Sequence, residues 1–286
     1  MNGYVSVLYG NTAHACSLAI SAENLKTLDP ATPRIIYVWN ISSETEDVLK
    51  HGWKIQHIKS PGDKWWRKLP VVQSKLKRVV FFDSDNYVMP GANMKSLWNL
   101  PHNKTYAFED WPKHCFNGGF LILTPTREAI DKYMIGARLK KNAPNMSSCR
   151  FDEQKVLNYV YPDWEHIPRK LVSKFAIDQT PCFQNVADAE KASGMFHFYG
   201  RTVPWGTNCM ECIMAGKTCN VKLMRRRGRI NPSCGHNAIQ SLWYSNYLRL
   251  PNYVRKICYK RLKSTEVIYH ADSRLANFTG CDLPKI

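Results

Sequence analysis

No stretch of the 286 residues approaches the roughly 18 uncharged apolar positions that a membrane-crossing helix needs. The opening Met1-Asn-Gly-Tyr-Val-Ser-Val-Leu-Tyr9 also lacks the basic flank and the apolar length of a signal peptide. A soluble, cytoplasmic chain is therefore expected, with a Golgi-lumen protein lacking its anchor as the alternative. Internal repeats and low-complexity tracts are absent, which excludes solenoids and fibres. Acids are scarce: 23 Asp and Glu stand against 40 Lys and Arg, a net charge of +17. The excess is uneven, since Arg201 to Ile286 holds 15 basic and 4 acidic residues, 15 − 4 = +11. Such a field gathers anions: nucleotide sugars, acidic glycans, nucleic acid or an anionic membrane face.

What is present is enough for a folded core. With 44% hydrophobic, 12% aromatic and 22% charged residues, the chain is too apolar to be disordered. Of ten cysteines, Cys16, Cys115, Cys149, Cys182 and Cys258 are scattered and read as small buried residues. Asn-x-Ser/Thr occurs at Asn40, Asn103, Asn145 and Asn277, about as often as chance supplies it.

Periodicity predicts a strand over Tyr4–Tyr9, a helix from Ala13 to Leu28, a strand over Ile35–Trp39, a helix near Ser43–His51 and alternation over Trp53–Ile58. A helix follows over Trp65–Lys77, and Arg78-Val-Val-Phe-Phe82 reads as a strand buried on both faces. Strands at Tyr106–Phe108 and Gly119–Thr124 and helices at Thr126–Leu139 and Asp152–Tyr161 complete this region. Strands alternating with helices predict an α/β fold with one mostly parallel sheet flanked by helices, and ligands outside the strands' carboxyl ends. From about Trp205 the composition turns to Cys, Arg, Gly and Asn, marking a Cys-rich, basic appendage.

The buried run ends in Asp83-Ser84-Asp85. Two carboxylates one residue apart at a sheet's carboxyl edge point the same way and can share a hard divalent cation against a diphosphate, although solvated acids opening a turn share the pattern. Within Met195-Phe-His197-Phe-Tyr-Gly200-Arg201, His197 is either a core histidine or a third ligand, and an imidazole among oxygens favours Mn²⁺ over Mg²⁺. Gly200 allows close approach of backbone to phosphate, and Arg201 supplies charge.

Phe82-Asp-Ser-Asp85, Cys115-Phe-Asn-Gly-Gly-Phe120, Glu153-Gln154 with Leu157-Asn158, and His197-Phe-Tyr-Gly-Arg201 with Pro204-Trp205 follow the order and approximate spacing of glycogenin and its relatives. On these motifs the chain resembles glycosyltransferase family 8. The resemblance implies a GT-A type domain over residues 1–205 with a Rossmann-like sheet, a partly helical extension over 206–286, a UDP-sugar donor, Mn²⁺, and transfer of a hexose or pentose with retention of configuration. It further implies Asp83, Asp85 and His197 as metal ligands. Leu8, Asn11, Thr12, Lys68, Ser84, Gly200 and Arg201 would face the nucleotide sugar. Asn117, Glu109 or Asp110, Glu153 and Gln154 would surround the reacting centre.

Two positions depart from the family pattern: Glu153 replaces an aspartate, and Val203 stands where a lysine would neutralise the leaving diphosphate. Arg201 can serve in its place if its guanidinium reaches the phosphates. From Pro162 to Phe198 there is no tyrosine, so a separate glycan or protein acceptor is expected instead of self-glucosylation. Cys209, Cys212, Cys219 and Cys234 could ligate structural zinc, form disulfides or stay free, because only the first pair has zinc-like spacing. The aromatic and basic residues between Asn237 and Leu262 read as core packing with a charged outer side, or as a face for an anionic membrane or acidic glycan. Nucleic acid is not the expected partner of the enzyme, and a homodimer is an open alternative. The competing function is a catalytically weak basic protein, binding glycan or nucleic acid on a transferase fold, which Val203 keeps open.

Overall fold

The structure, a computed structural model, describes residues 1–10, 13–60, 62–110, 114–140, 149, 152–175, 186–197, 218–221, 223–225, 228–230, 234–260 and 278–282. Strand β1 (Asn2–Tyr9) leads into helix α1 (His14–Leu28), β2 (Arg34–Trp39), α2 (Ser43–Lys50) and β3 (Lys54–His57). After α3 (Leu69–Val72) come β4 (Arg78–Phe82), β5 (Asn86–Val88), β6 (Tyr106–Asp110) and β7 (Cys115–Leu123). Next are α4 (Arg127–Leu139), α5 (Asp152–Val160), β8 (Glu165–His166), β9 (Ser173–Phe175), α6 (Val186–Lys191) and β10 (Gly194–His197). The C-terminal part holds β11 (Thr218–Val221), β12 (Leu223–Arg225), β13 (Gly228–Ile230), α7 (Cys234–Arg249), α8 (252–260) and β14 (Phe278–Asp282).

Seven strands form one sheet in the order β3-β2-β1-β4-β7-β6-β8. Pairing is parallel from β3 through β4 and between β6 and β8, and antiparallel where β7 lies between β4 and β6. The mixed α/β architecture with a mostly parallel sheet is thus the expected one. Every residue of β4 is buried because both faces of the sheet are covered. Val80 and Phe82 share one hydrophobic cluster with Leu18 of α1 and Val48 and Leu49 of α2, whereas Val79 and Phe81 belong to a second cluster with Tyr133 of α4 and Val156 of α5.

The expected helix over Trp65–Lys77 is a 3₁₀ turn at Lys64–Trp66 followed by the four residues of α3. Pro70 has no N–H and fits only the first turn. Beyond it the Ser74 hydroxyl accepts from the Leu76 N–H at 3.4 Å, offering the backbone a turn in place of a further helical bond.

Cysteines read as isolated buried residues are joined. Cys16 of α1 is disulfide-bonded to Cys258 of α8, and Cys115 to Cys149. Cys182 lies outside the described residues. The first bridge ties the C-terminal helices to the sheet domain, and packing does the same. Trp243, Tyr244 and Tyr247 are buried in the core shared with α1, and the Asn246 amide donates to the Tyr87 hydroxyl of β5 at 2.6 Å. Of the four candidate zinc cysteines, Cys209 and Cys212 lie outside the described residues. Cys219 sits in β11 opposite Cys281 of β14, and Cys234 opens α7.

The carboxylate of Asp29, at the end of α1, accepts from Tyr4 at 2.9 Å, Thr32 at 2.7 Å and the Trp98 indole at 2.8 Å. Burial alone would raise its proton affinity, but these donors more than offset that and hold the carboxyl below its ordinary value of 3.8. The stabilisation is complete above that value and is lost as pH falls through the lower folded value. Asp29→Ala strands the buried Tyr4 hydroxyl and the half-buried Thr32 and Trp98 donors and is expected to cost about 3 kcal/mol. Urea denaturation should show this deficit at pH 7 and its shrinkage below pH 4.

Candidate active site

Where β4 leaves the sheet at its carboxyl end, the Asp83 N–H donates to the Gly119 carbonyl at 2.8 Å, and the Asn86 N–H donates back to the Asp83 carbonyl at 3.0 Å. This turn carries Asp83 and Asp85 out of the core. Next, β5 pairs antiparallel with β10, setting Asn86 opposite His197. That register brings His197 Nε2 within 3.3 Å of Asp85 Oδ2. Burial opposes the Asp85 charge, but the hydrogen bond and charge of His197 outweigh it and hold the carboxyl below the usual range.

Asp83 has a different partner. The Lys68 ammonium, on a residue 5% exposed, bonds to Asp83 Oδ1 and lies 4.5 Å from the centre of the Phe81 ring. Burial pushes the Asp83 carboxyl up; Lys68 pulls it down, and the charge of Asp85 adds to the rise. Lys68 is held in place by its backbone, since its N–H donates to the Tyr133 hydroxyl at 3.2 Å and that hydroxyl donates to the Trp65 carbonyl at 2.9 Å. The Tyr9 hydroxyl donates to the Arg67 carbonyl. The two side chains therefore clamp the segment that delivers the cation.

Strand β7 forms the neighbouring wall. Asn117 donates to Asp110 Oδ2 at 2.9 Å and accepts from the Gly119 N–H at 2.9 Å. A Cβ on Gly119 would stand 2.9 Å from Asn117 Oδ1, 3.1 Å from Asn86 Nδ2 and 3.4 Å from Asp83 Oδ2, so only glycine lets these groups crowd together. Helix α5 docks through Asn158, which accepts from the Phe116 N–H at 2.9 Å and donates to the Gln154 carbonyl at 2.8 Å. Gln154 is 3% exposed; its Oε1 accepts from the Gly118 N–H at 3.1 Å. Its Nε2 is buried with no partner among the described residues.

Lys68, Asp83, Asp85, Asp110, Asn117, Gln154 and His197 thus gather at the carboxyl edge of the sheet. Glu153 is half-buried and its charge adds to the upward push on Asp83. Glu109 is exposed, Ser84 is half-buried and Leu8 is a core side chain at 3% exposure. Asn11, Thr12, Gly200 and Arg201 lie outside the described residues, as does Val203. Sequence reasoning missed His14, which opens α1 beside Asp85. Burial lowers its proton affinity, while the Asp85 charge and a hydrogen bond to the Ser84 backbone raise it. A polar residue opening the helix after the first strand was the available signal. Asn86, whose amide donates to Asp85 Oδ1 at 3.2 Å and the Gly119 carbonyl at 3.1 Å, was also missed.

Among the described residues, no group of three or more His, Cys, Asp and Glu side chains is arranged to hold a metal ion. Asp83 is paired with Lys68, whereas Asp85 and His197 contact each other. Those two, an oxygen and an imidazole donor in contact, still suit a Mn²⁺-like cation chemically.

No protein-family model and no curated protein sequence matches the chain. Solved structures do. The galactosyltransferase LgtC, in complex with donor and acceptor sugar analogs, aligns over 90% of this chain and all of its own, with 14% identity and a TM-score of 0.55. Apo GlyE of Streptococcus pneumoniae TIGR4, a glycosyltransferase, aligns over 93% of this chain and 64% of its own at 14% identity and a TM-score of 0.57. The bifunctional glycosyltransferase WbbM aligns over 91% and 51% respectively, at 13% identity and a TM-score of 0.56. The chain therefore spans about half of WbbM and under two thirds of GlyE. Its fold is the GT-A type of these glycosyltransferases.

Proposed function

We propose that this protein is a Mn²⁺-dependent retaining glycosyltransferase that moves a hexose or pentose from a UDP-sugar to a separate glycan or protein acceptor. One observation carries the reading: the Asp85–His197 contact, made across β5 and β10 at the carboxyl edge of a GT-A type sheet. The Gln154 amide, without a partner among the described residues, supports it as a donor to a sugar oxygen, and LgtC, crystallised with sugar analogs, shares the fold. Asp85 and His197 would hold the metal, with Asp83 joining if Lys68 yields it. Bound there, the cation would offset the charge of the departing diphosphate.

The chain's own residues supply position and charge. Lys68 brings a buried positive charge to the diphosphate side, and Asn117, tied to Asp110, presents polar atoms to the sugar. Glu153 is the acid beside Gln154 at the expected reacting face, too little for the paired carboxylates of a double displacement. We infer front-face transfer: the acceptor oxygen bonds to the anomeric carbon as the bond to phosphate oxygen breaks, and the acceptor proton passes to that oxygen. Of the two compartments considered, the two disulfides favour an oxidising lumen over the cytoplasm.

Incubation with a panel of UDP-sugars should release UDP with Mn²⁺ and not with chelator, without a gain in protein mass when no acceptor is added. A covalent glycosyl-enzyme at Glu153 would refute front-face transfer. Absence of UDP release and of Mn²⁺-assisted UDP binding would favour the basic binding protein instead.

A further inference from the structure

On the face of the sheet that carries α4 and α5, the edge formed by β2 and β3 has no long helix over it among the described residues. The segment from Gly62 to Leu76 spans it with a 3₁₀ turn and the short α3, and a cavity of about 820 Å³ remains between segment and sheet. That is within the range of about 300–1,000 Å³ usual for small-molecule sites. Its lining is mainly apolar: Ile35 and Tyr37 of β2, Ile58, and Trp66, Leu69 and Leu76 from the spanning segment. Lys59 and Lys75 also line it; both are exposed, and neither forms an ion pair with a described residue. Lys54, Arg67 and Lys77, near these residues in sequence, are exposed as well. The nearby acid Asp63 is taken by Lys140 at 2.7 Å.

We propose that this groove binds a single-chain anionic amphiphile, with its alkyl or isoprenyl chain along the apolar floor and its acidic head held by the lysines of the rim. An apolar trough rewards burial of a chain, and unopposed cations at its mouth select the charge of the head. The walls suit an alkyl chain better than a sugar. Four of the six apolar residues named are aliphatic, and Tyr37, 8% exposed, offers little ring surface for a pyranose to stack on. The site is separate from the crevice at Asp85, and the proposal does not depend on the transfer reaction.

Titration calorimetry with dodecyl phosphate below its micelle concentration tests it. Saturable one-to-one binding is expected, with none for butyl phosphate, which lacks the chain, or for dodecyl maltoside, which lacks the charge. The double variant Lys59→Glu/Lys75→Glu, changed at two exposed positions, should bind about tenfold more weakly. Gln56→Trp, which fills the groove from β3, should abolish binding while UDP release is unchanged. Equal binding by the charge variant, binding of the maltoside, absence of saturable binding, or displacement by an acidic oligosaccharide would each overturn the proposal. Should Gln56→Trp fail to fold by circular dichroism, the surface charge variant still decides.

Discussion

Asp85→Asn is expected to lower UDP-sugar turnover by about 10³-fold while leaving the fold intact. The substitution keeps the shape of the side chain and removes its charge. Asp85 meets both His197 at 3.3 Å and the Asn86 amide at 3.2 Å, so an uncharged amide would lose the imidazole's electrostatic partner and present a second N–H donor where a carboxylate oxygen stood. Groups that stabilise developing charge on a leaving group are worth about 10²–10³ in rate each, and under the proposed mechanism an oxygen donor to the cation would be lost with them. Initial rates of UDP release, with calorimetric Mn²⁺ binding as a second readout, measure the effect. Rates within about threefold of the parent, with Mn²⁺ uptake undiminished, would remove Asp85 from the mechanism.

Opening the Cys16–Cys258 bridge should lower the melting temperature by about 10 °C. The bond joins residues 242 apart in sequence, so it removes conformational freedom from the unfolded chain across almost its whole length. Such closures typically contribute about 2–4 kcal/mol, and for a domain of this size each kcal/mol moves the midpoint by about 2–4 °C. Cys258→Ala separates this bridge from Cys115–Cys149, whose loop spans 34 residues and whose loss should matter less. Melting curves with and without reductant, alongside peptide mapping under non-reducing conditions, check both. A reductant-insensitive midpoint would deny the bridge in solution. The same loss should loosen α8 from α1, whose first turn holds His14 beside Asp85.

Much of the architecture was legible because its signals are local. The apolar run of β4 between polar flanks, the alternation of β1 and the Thr126 cap of α4, whose hydroxyl accepts from the Ala129 N–H at 3.1 Å, each lie within a dozen residues of chain. The failed helix over Trp65–Lys77 shows the limit of such signals: its spacing suited a helix, yet Pro70 and Ser74 gave the backbone competing arrangements, and the return to β4 left no room for more turns. The cysteines failed for the opposite reason. Nothing local distinguishes Cys16 from a small buried residue, since its partner arrives only when α8 folds back over α1.

The candidate site divides along the same line. Asp83 and Asp85 follow from their place at the end of a buried strand, and the residue types at 117, 154 and 197 follow from the motifs that carry them. Which of these touch is a matter of register and packing: β10 must pair with β5 to bring His197 to Asp85, and Tyr133 and Tyr9 must clamp the 65–68 segment to lower Lys68 onto Asp83. A linear chain encodes its hydrophobic periods and its chemical inventory directly. Contacts between residues that share no helix or strand exist only after the core has chosen one packing, so the His197–Asp85 contact, the cation paired with Asp83, the disulfides and the groove under Lys59 and Lys75 were decided by tertiary structure.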